Sequence, residues 1–564
     1  MSTGSTKTRS RDEAHTDGAA ALWGAKTTRA GRGVPEATDP EMDGRTWQLA
    51  SGFVLLVAAI VRLYALELNP LHHDEGVNGF FLIKLINHGV YQYDPANYHG
   101  PTLYYFALVA AKLFKLAGTG LSIYAIRVVP VAFGVATVWL VLTLRRRLGA
   151  VGALAGASLV ALSPGAVYMS RYFIHESLFV FFTLGIVVAA LRFYESASFL
   201  YLMLAAASAA LLFATKETAM ISAGVLLIAL AMTALYMGIR RTARHESQPV
   251  KQGRQKKKQR RRAHGAEHDA LSESLTRFGG PLGIATLTLS ALILFVLVYV
   301  LFYSSFLTHA QGIRDSLKTF EIWARTGKKE HVHEWYTYLH WLWLKEAPLL
   351  VLGVVGILLA FWRGRNSVAV FVALWATGII AAYSLIPYKT PWLALNFIVP
   401  LAIIGGYGLG LLYRWGTHDL TQRVLAIGLA VAALSVCAYQ MIELNFKHYD
   451  DDGYIYPYAH TVREILPLVD AINRFAATAG TGRQTAINIT SPEYWPLPWY
   501  LRDYTRVGYA GRIAVADEPL VIGSDTQELE LEAALGDRYT RIDSYQLRPG
   551  VTLVLFARND LVKR

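Results

Sequence analysis

The 564-residue chain has one cysteine, Cys437, and charged residues make up only 17% of it. One cysteine excludes an internal disulfide framework and a cysteine-rich zinc site. An ordinary soluble domain carries about 25% charged residues, whereas 54% of this sequence is hydrophobic. The composition therefore argues against a soluble enzyme and favours a polytopic membrane protein.

Acidic residues are also scarce where basic residues are dense. The net charge is +13, and residues 239–278 hold 12 Lys and Arg against 4 Asp and Glu. Because most of the excess lies in this one segment, we predict no nucleic-acid partner. The run KQGRQKKKQRRR at 251–262 is typical of a solvated loop that anchors the topology, and contact with anionic lipid headgroups is the alternative.

Long apolar runs predict eleven membrane-spanning helices, since crossing the hydrocarbon core takes about 20 residues. They are 47–66, 123–144, 149–168, 177–194, 199–215, 218–238, 279–303, 346–362, 367–386, 391–413 and 424–442. The segment 101–117 is short and carries Lys112 and Lys115 on one face. Such a pattern is typical of a helix that lies in the interface.

Four basic loops, at 145–147, 239–278, 362–365 and 414–423, set the predicted orientation, because Lys and Arg in short loops favour the cytoplasm. If 101–117 does not span, all of these loops fall on the side of the N-terminus, which we therefore place in the cytoplasm of a multi-pass cell-membrane protein. The predicted organisation is a disordered cytoplasmic tail at 1–46, a transmembrane module at 47–443 and an extracytoplasmic domain at 444–564. Within the transmembrane module, 67–122 and 304–345 are outer loops and 239–278 is a basic cytoplasmic loop.

The character of the sequence changes from about Leu444. Polar turns separate strand-like runs at 485–490, 519–523 and 551–557, and a helical pattern covers 461–477. The predicted fold class is an all-α membrane protein of about eleven transmembrane helices with juxtamembrane helices and a small C-terminal α/β domain.

Polar and charged residues gather at the predicted outer face of the membrane module. They are Asp74, Glu75, His99, Arg171, His175, Glu176, Lys216, Glu217 and Lys389, with His331, His333, Glu334 and Trp335 in the loop 304–345. Ionisable groups near a bilayer are functional candidates. Each has a plainer explanation on its own: Asp74 and Glu75 suit a solvated loop, Arg171 and Glu176 a structural ion pair, and Lys216 a side chain that reaches the interface.

Convergence of five segments at one depth favours a functional site. Cations stabilise a departing phosphate and a carboxylate accepts the proton of an attacking hydroxyl, so this mixture suits group transfer from a phosphate-linked donor. Membrane depth suits a donor with a lipid tail. The sequence has no visible glycine-rich nucleotide loop, so a nucleotide-linked donor is not indicated.

Five motifs carry a resemblance to a known family. They are HHDEG at 72–76, YHGP at 98–101, SRYFIHESLF at 170–179, FATKET at 213–218 and PYKTPWLALNFIVP at 387–400. With these motifs the chain resembles the GT-C integral-membrane glycosyltransferases of family 39, which include protein O-mannosyltransferases and aminoarabinose transferases of lipid A. The motif YWPLPWYLRDY at 494–504 is most similar to a flippase-activity-associated subfamily of proteins in archaeal and bacterial glycosylation.

The resemblance implies an inverting hexosyl or pentosyl transferase with a polyprenyl-phosphate sugar donor and a glycan, protein or lipid acceptor outside the membrane. It implies catalytic roles for Asp74, Glu75 and Glu176. It assigns the donor phosphate to Arg171, Lys216, Lys389 and His99. No cofactor is required by this reaction, and a divalent metal stays open.

The outer segments are the expected acceptor side. Acceptor contacts are predicted for His331, His333, Glu334 and Trp335. Aromatic residues there suit stacking on sugar faces, but Trp and Tyr are also common at membrane interfaces for structural reasons.

Two other functions stay open from the sequence. A flippase or transporter for lipid-linked sugars also needs a polar headgroup site, although such proteins usually show internal repeats and a midplane site. A non-catalytic membrane scaffold in glycan assembly is the third interpretation, and it does not explain why Asp74 and Lys389 match the family pattern.

Overall fold

The computed structural model describes residues 41–97, 99–246, 278–325, 331–416, 420–514 and 517–562. Most of the predicted tail at 1–46 and the basic run at 251–262 lie outside the described residues. The last residues assigned to the tail, Gly44 to Thr46, instead begin the first helix, because Asp43 caps its backbone N–H groups.

Twenty α-helices occur in the described chain. They are α1 Gly44–Leu63, α2 His73–His88, α3 Thr102–Leu116, α4 Ile123–Leu142, α5 Arg145–Leu148, α6 Ala150–Leu162, α7 Pro164–Ser170, α8 Glu176–Ser196, α9 Phe199–Phe213, α10 Ala219–Glu246, α11 Gly280–Tyr303, α12 Gln311–Arg325, α13 Thr337–Arg363, α14 Ser367–Leu385, α15 Leu395–Trp415, α16 Leu420–Ile442, α17 Ile465–Thr478, α18 Leu497–Tyr500, α19 Glu528–Leu535 and α20 Asn559–Val562.

All eleven predicted apolar segments are helical, but two differ from a simple span. Within the described residues, nine helices are long and apolar enough to cross a membrane. The segment predicted at 149–168 is a pair of helices, α6 and α7, bent by 59°. Pro164 begins α7, where its missing N–H costs nothing, and the Ser163 side chain caps the new turn. The segment predicted at 199–215 is the 15-residue helix α9.

The centre of the helical module is α15, whose apolar window is 94% buried inside the protein. Glycines bring its neighbours close, as small residues do between membrane helices. A Cβ on Gly406 would lie 2.4 Å from the backbone oxygen of Gly152 in α6, and one on Gly356 of α13 would lie 2.1 Å from that of Ile404. These close backbone approaches make α15 the packed centre of the helical module.

Helix α3, predicted as a juxtamembrane helix, is tied at its start to the turn between α9 and α10. The N–H of Gly100 donates to Thr215 O at 3.0 Å, and that of Thr102 to Ala214 O at 3.3 Å. Only glycine fits at position 100, because a Cβ there would lie 2.1 Å from Ala214 O. The contact places His99 beside the turn that carries Lys216 and Glu217.

The C-terminal region contains a five-stranded mixed sheet with the order β2-β1-β3-β5-β4. The strands are β1 Ile487–Ile489, β2 Val507–Tyr509, β3 Leu520–Ser524, β4 Tyr539–Arg548 and β5 Val551–Arg558. β1 pairs in parallel with β2 and β3, and β5 pairs antiparallel with β3 and β4. The three strand-like runs and the small α/β domain are therefore confirmed, whereas the sequence pattern did not indicate β2 and β4.

This domain packs directly on α2. A Cβ on Gly76 would lie 2.5 Å from Cβ of Pro496, and one on Gly79 would lie 2.6 Å from the ring of Trp499. The Tyr500 hydroxyl accepts a hydrogen bond from Leu71 N at 2.9 Å. The two glycines thus form a flat helix face against which the segment around Trp499 is seated.

Candidate active site

A cavity of about 780 Å³ lies where loops of the helical module meet the C-terminal domain. Its walls come from the first turn of α2, the start of α8, the turn between α9 and α10, and the loop before α15. Polar side chains that line it include Asp74, His99, His175, Glu176, Lys216, Glu217, His331, Tyr388, Tyr458 and Arg548.

Asp74 enters the cavity from the first turn of α2. The His72 side chain caps this turn through Nδ1, which accepts from Asp74 N at 3.1 Å, and Glu75 accepts from His72 N at 2.9 Å. This reciprocal capping box fixes the turn. A carboxylate in a first helical turn suits the positive end of the helix dipole. The capped turn thus presents the partly buried Asp74 carboxylate to the cavity.

Glu75 points away from the cavity and is fully buried. Its carboxylate accepts from Arg127 at 2.6 and 2.8 Å and from Phe173 N at 2.7 Å. These contacts join α2 to α4 and to the segment before α8. The structure therefore separates Glu75 from Asp74, although the two residues are adjacent in sequence.

Arg171 is also outside the cavity lining. It donates to backbone carbonyls at and beyond the end of α1, at 2.6 Å for Tyr64 and 2.8 Å for Ala65. Its guanidinium also packs over the ring of Phe446. A cation at a helix C-terminus satisfies carbonyls that lack intrahelical partners, which is what Arg171 does here.

Lys389 lies next to the cavity in the chain, between the lining residues Tyr388 and Thr390, but its side chain turns away. Its ammonium donates to Ile386 O at 2.6 Å and Ser384 O at 3.3 Å. Burial lowers the pKa of Lys389 below its ordinary value. The ammonium thus closes the end of α14 instead of facing the cavity.

Glu176 and Lys216 form a buried ion pair within the cavity wall. Lys216 Nζ lies 2.6 Å from Glu176 Oε1, and each side chain is only 6% exposed. Burial alone would lower the pKa of Lys216, but the carboxylates of Glu176 and Glu217 outweigh it and raise the pKa well above its ordinary value. Lys216 is therefore a permanent cation.

Glu217 pairs with His99 on the same side of the cavity, with His99 Nδ1 3.2 Å from Glu217 Oε2. Burial would raise the pKa of Glu217, but His99 and Lys216 outweigh it and lower the pKa. The ring of His175 lies 4.9 Å from that of His99 and contacts Gly100 O. Burial lowers the pKa of His175 well below its ordinary value, so this ring stays neutral.

The four residues predicted to contact the acceptor lie in different places. His331 lines the cavity, where its Nδ1 lies 3.1 Å from the Tyr458 hydroxyl. His333 and Glu334 line a separate surface depression, and the ring of His333 packs near Trp341. Trp335 is 63% exposed.

Arg548 is the main cavity residue that the sequence reasoning missed. It lies at the end of β4, and its Nη1 is 3.3 Å from Nδ1 of His73. A second N–H donates to Glu493. Nothing local marks an arginine at a strand end as a site residue, and its partner His73 lies 475 positions earlier in the chain.

Metal ligation was left open by the sequence. Among the residues whose placement the structure gives, no group of three or more His, Cys, Asp or Glu could hold a metal ion. Metal dependence of the protein stays an open prediction.

Comparison with known proteins identifies related sequences and folds. Residues 98–247 match the family model described as dolichyl-phosphate-mannose-protein mannosyltransferase. No curated protein sequence matches the chain. The matched segment contains the YHGP, SRYFIHESLF and FATKET motifs.

Three solved structures are similar over most of the chain. ArnT from Cupriavidus metallidurans bound to undecaprenyl phosphate has a TM-score of 0.56 at 15% identity, covering 91% of this chain and 98% of ArnT. The apo form of the same ArnT gives 0.53 at 15% identity, over 90% and 97% of the two chains. The oligosaccharyltransferase of Archaeoglobus fulgidus tethered to an acceptor peptide gives 0.51 at 13% identity, over 86% and 70%.

These similarities establish the fold. The chain shares the fold of ArnT and of the archaeal oligosaccharyltransferase, so the fold that the resemblance implied is confirmed. The subfamily suggested by YWPLPWYLRDY stays a prediction.

Proposed function

We propose that the protein is a membrane glycosyltransferase that moves a sugar from a polyprenyl-phosphate donor to an acceptor at the outer face of the membrane. The observation that carries the proposal is the placement of Asp74 in one cavity with the cation Lys216. The shared fold with an ArnT bound to undecaprenyl phosphate supports a lipid-phosphate donor. The match of 98–247 to a mannosyltransferase family supports the same class of reaction.

Asp74 acts as the general base in this proposal. Its carboxylate takes the proton of the acceptor hydroxyl while the acceptor oxygen forms a bond to the anomeric carbon. The bond from that carbon to the donor phosphate breaks, and its electron pair leaves with the phosphate. Attack from the face opposite the phosphate inverts the anomeric carbon.

The leaving phosphate gains negative charge as the bond breaks, so preorganised cations lower the barrier. Lys216 and His99 line the cavity and are suited to this role. Glu176 holds the Lys216 ammonium at 2.6 Å, which makes Glu176 a positioning residue. Lys389 does not contact the donor but holds the end of α14 through Ile386, which lines the cavity. Arg171 holds the end of α1.

The acceptor enters from the side formed by the loop 304–345 and the C-terminal domain. His331 contacts it at the cavity wall, and His333, Glu334 and Trp335 present an exposed approach surface. This proposal places the N-terminus in the cytoplasm and the C-terminal domain outside. The transferred sugar is a hexose or a pentose, and the acceptor is a glycan, a protein or a lipid.

The test is an Asp74→Asn allele in the cell that makes this protein, with mass spectrometry of surface glycans and glycolipids. A general base contributes about 10²–10⁴-fold to rate, so the glycan mass that depends on this protein should disappear while the protein still purifies as a folded species in detergent. Asp525→Asn is a matched control, because Asp525 is also an aspartate in a first helical turn but is exposed and outside the cavity. Full transfer by Asp74→Asn would remove Asp74 from the base role.

A further inference from the structure

Two permanently charged cations line the described part of the cavity, and they differ in their surroundings. Lys216 is held by Glu176 at 2.6 Å, with both side chains 6% exposed. Arg548 comes from the C-terminal domain, and its carboxylate partner Glu493 has a 50% exposed side chain. A buried carboxylate at this distance compensates Lys216 strongly, whereas a half-exposed one compensates Arg548 weakly because water screens it.

The position of Arg548 is close to the proposed base. Its Nη1 contacts Nδ1 of His73, the residue directly before Asp74. Burial lowers the pKa of His73, so the neutral ring accepts this hydrogen bond from the guanidinium. Arg548 itself is 13% exposed on its side chain and lines the same cavity as Asp74.

A guanidinium has several N–H donors in a planar fork that matches the oxygens of a phosphate. The described partners of Arg548 are His73 and Glu493, each of which uses one nitrogen of the fork. Glu493 can be released into water when another oxyanion arrives, because half of its side chain is already exposed.

We infer that Arg548 binds the phosphate of the polyprenyl donor, so that the C-terminal domain supplies part of the donor site. Substrate phosphate replaces Glu493 on the guanidinium, and His73 keeps the fork in place beside Asp74. The inference rests on the proposed function, because it takes the donor of that reaction as the ligand. Arg548 thus supplies the positive charge at the donor phosphate that the sequence analysis expected from Arg171 and Lys389.

The test measures binding of undecaprenyl phosphate, and of undecaprenol as the uncharged counterpart, to the purified full-length protein in detergent. The wild type should prefer the phosphate. Arg548→Gln should weaken binding of undecaprenyl phosphate about tenfold or more, as expected for losing a hydrogen bond to a charged group, and leave undecaprenol binding unchanged. The affinity of Arg548→Lys for undecaprenyl phosphate should lie between those of the wild type and Arg548→Gln, since lysine keeps the positive charge but lacks the planar guanidinium fork.

Arg541→Gln is the matched control. Arg541 lies on the same strand β4 and pairs with Glu528, but it is outside the cavity lining, so its binding should equal that of the wild type. Glu493→Gln removes the competing carboxylate and should tighten phosphate binding several-fold, which keeps the inference testable if Arg548→Gln does not fold. Unchanged binding in Arg548→Gln or weaker binding in Glu493→Gln would overturn the inference.

The outcomes separate this inference from the proposed function. If Asp74→Asn loses transfer while Arg548→Gln binds undecaprenyl phosphate normally, only the role of Arg548 fails. If Asp74→Asn keeps full transfer while Arg548→Gln loses phosphate binding, the base assignment fails and the donor-binding role of Arg548 stands.

Discussion

At the scale of single residues, Asp74 and Glu75 are adjacent carboxylates with different surroundings. Asp74 lines the cavity. Glu75 has no exposed surface and binds Arg127 through both carboxylate oxygens. Removing one partner of a buried ion pair leaves an uncompensated charge in a medium that solvates it poorly, so the two residues should respond differently to the same kind of substitution.

Glu75→Gln should lower the free energy of unfolding by about 3–5 kcal/mol, the usual result of breaking a buried pair. The measurement is thermal unfolding of the purified protein in detergent. Asp74→Asn is the control next to it, and its effect on stability should stay within about 1 kcal/mol, since the side chain is only partly buried. An unchanged melting temperature for Glu75→Gln would contradict a structural role for the Glu75–Arg127 pair.

The sequence predicted several of the charged residues that line the cavity. It did not predict the direction in which each charged side chain points. Asp74, His99, Glu176 and Lys216 lie in the cavity as one group. Arg171 satisfies backbone carbonyls instead, because a long side chain at a helix end can turn either way and periodicity does not record the choice. Arg548 was missed because its contact depends on how a separate domain docks.

At the scale of elements, α2 both presents Asp74 and receives the C-terminal domain. A Cβ on Gly76 would lie 2.8 Å from the Cα of Pro496, which is backbone and cannot rotate away. Any side chain at this position must therefore push the domain from the helix that carries the proposed base.

Gly76→Ala should destabilise the protein by about 1–3 kcal/mol, as overpacking usually does, and should reduce transfer because the first turn of α2 shifts. Limited proteolysis should cut the C-terminal domain faster than in the wild type. Gly52→Ala on α1 is the matched control, because nothing lies within 4 Å of its Cβ position. It should leave proteolysis unchanged and raise helix stability by up to about 1 kcal/mol. Equal proteolysis of both variants would show that the glycine contact does not hold the domain.

Helices were predicted well because long apolar runs are a strong local signal. The break between α6 and α7 was missed, although Pro164 is visible in the sequence, because a proline in an apolar run is compatible with a continuous helix in α4, where Pro130 lies inside. At Ser163 the side chain caps a new helix instead, and that choice depends on packing.

At the scale of the whole molecule, the cavity lies at one end of the helical module and under the C-terminal domain. Sugar transfer needs only a cavity that holds donor and acceptor, and a detergent micelle preserves it. Translocation of a lipid needs a sealed membrane that separates two compartments. The protein in detergent micelles should therefore transfer sugar from polyprenyl-phosphate mannose, or another polyprenyl-phosphate sugar, to acceptors in a cell-envelope extract.

A new glycosidic bond detected by mass spectrometry in micelles would support transfer, with Asp74→Asn as the negative control. Translocation of the same lipid across sealed vesicles, with no new bond formed in micelles, would instead support the flippase interpretation. The fold class followed from the long apolar runs and from the strand-like runs after Leu444. The choice between these functions did not follow from the sequence, because both place charged groups near a lipid headgroup.

The walls of the cavity come from distant parts of the chain, from His72 to Arg548. A ribosome delivers these parts in order, so a growing polypeptide exposes Asp74 long before Tyr458 and Arg548 exist. At that stage α2 lacks the residues from 496 to 500 that later pack on it. Unfinished copies of the protein therefore hold an incomplete pocket until the strand that carries Arg548 has been synthesised.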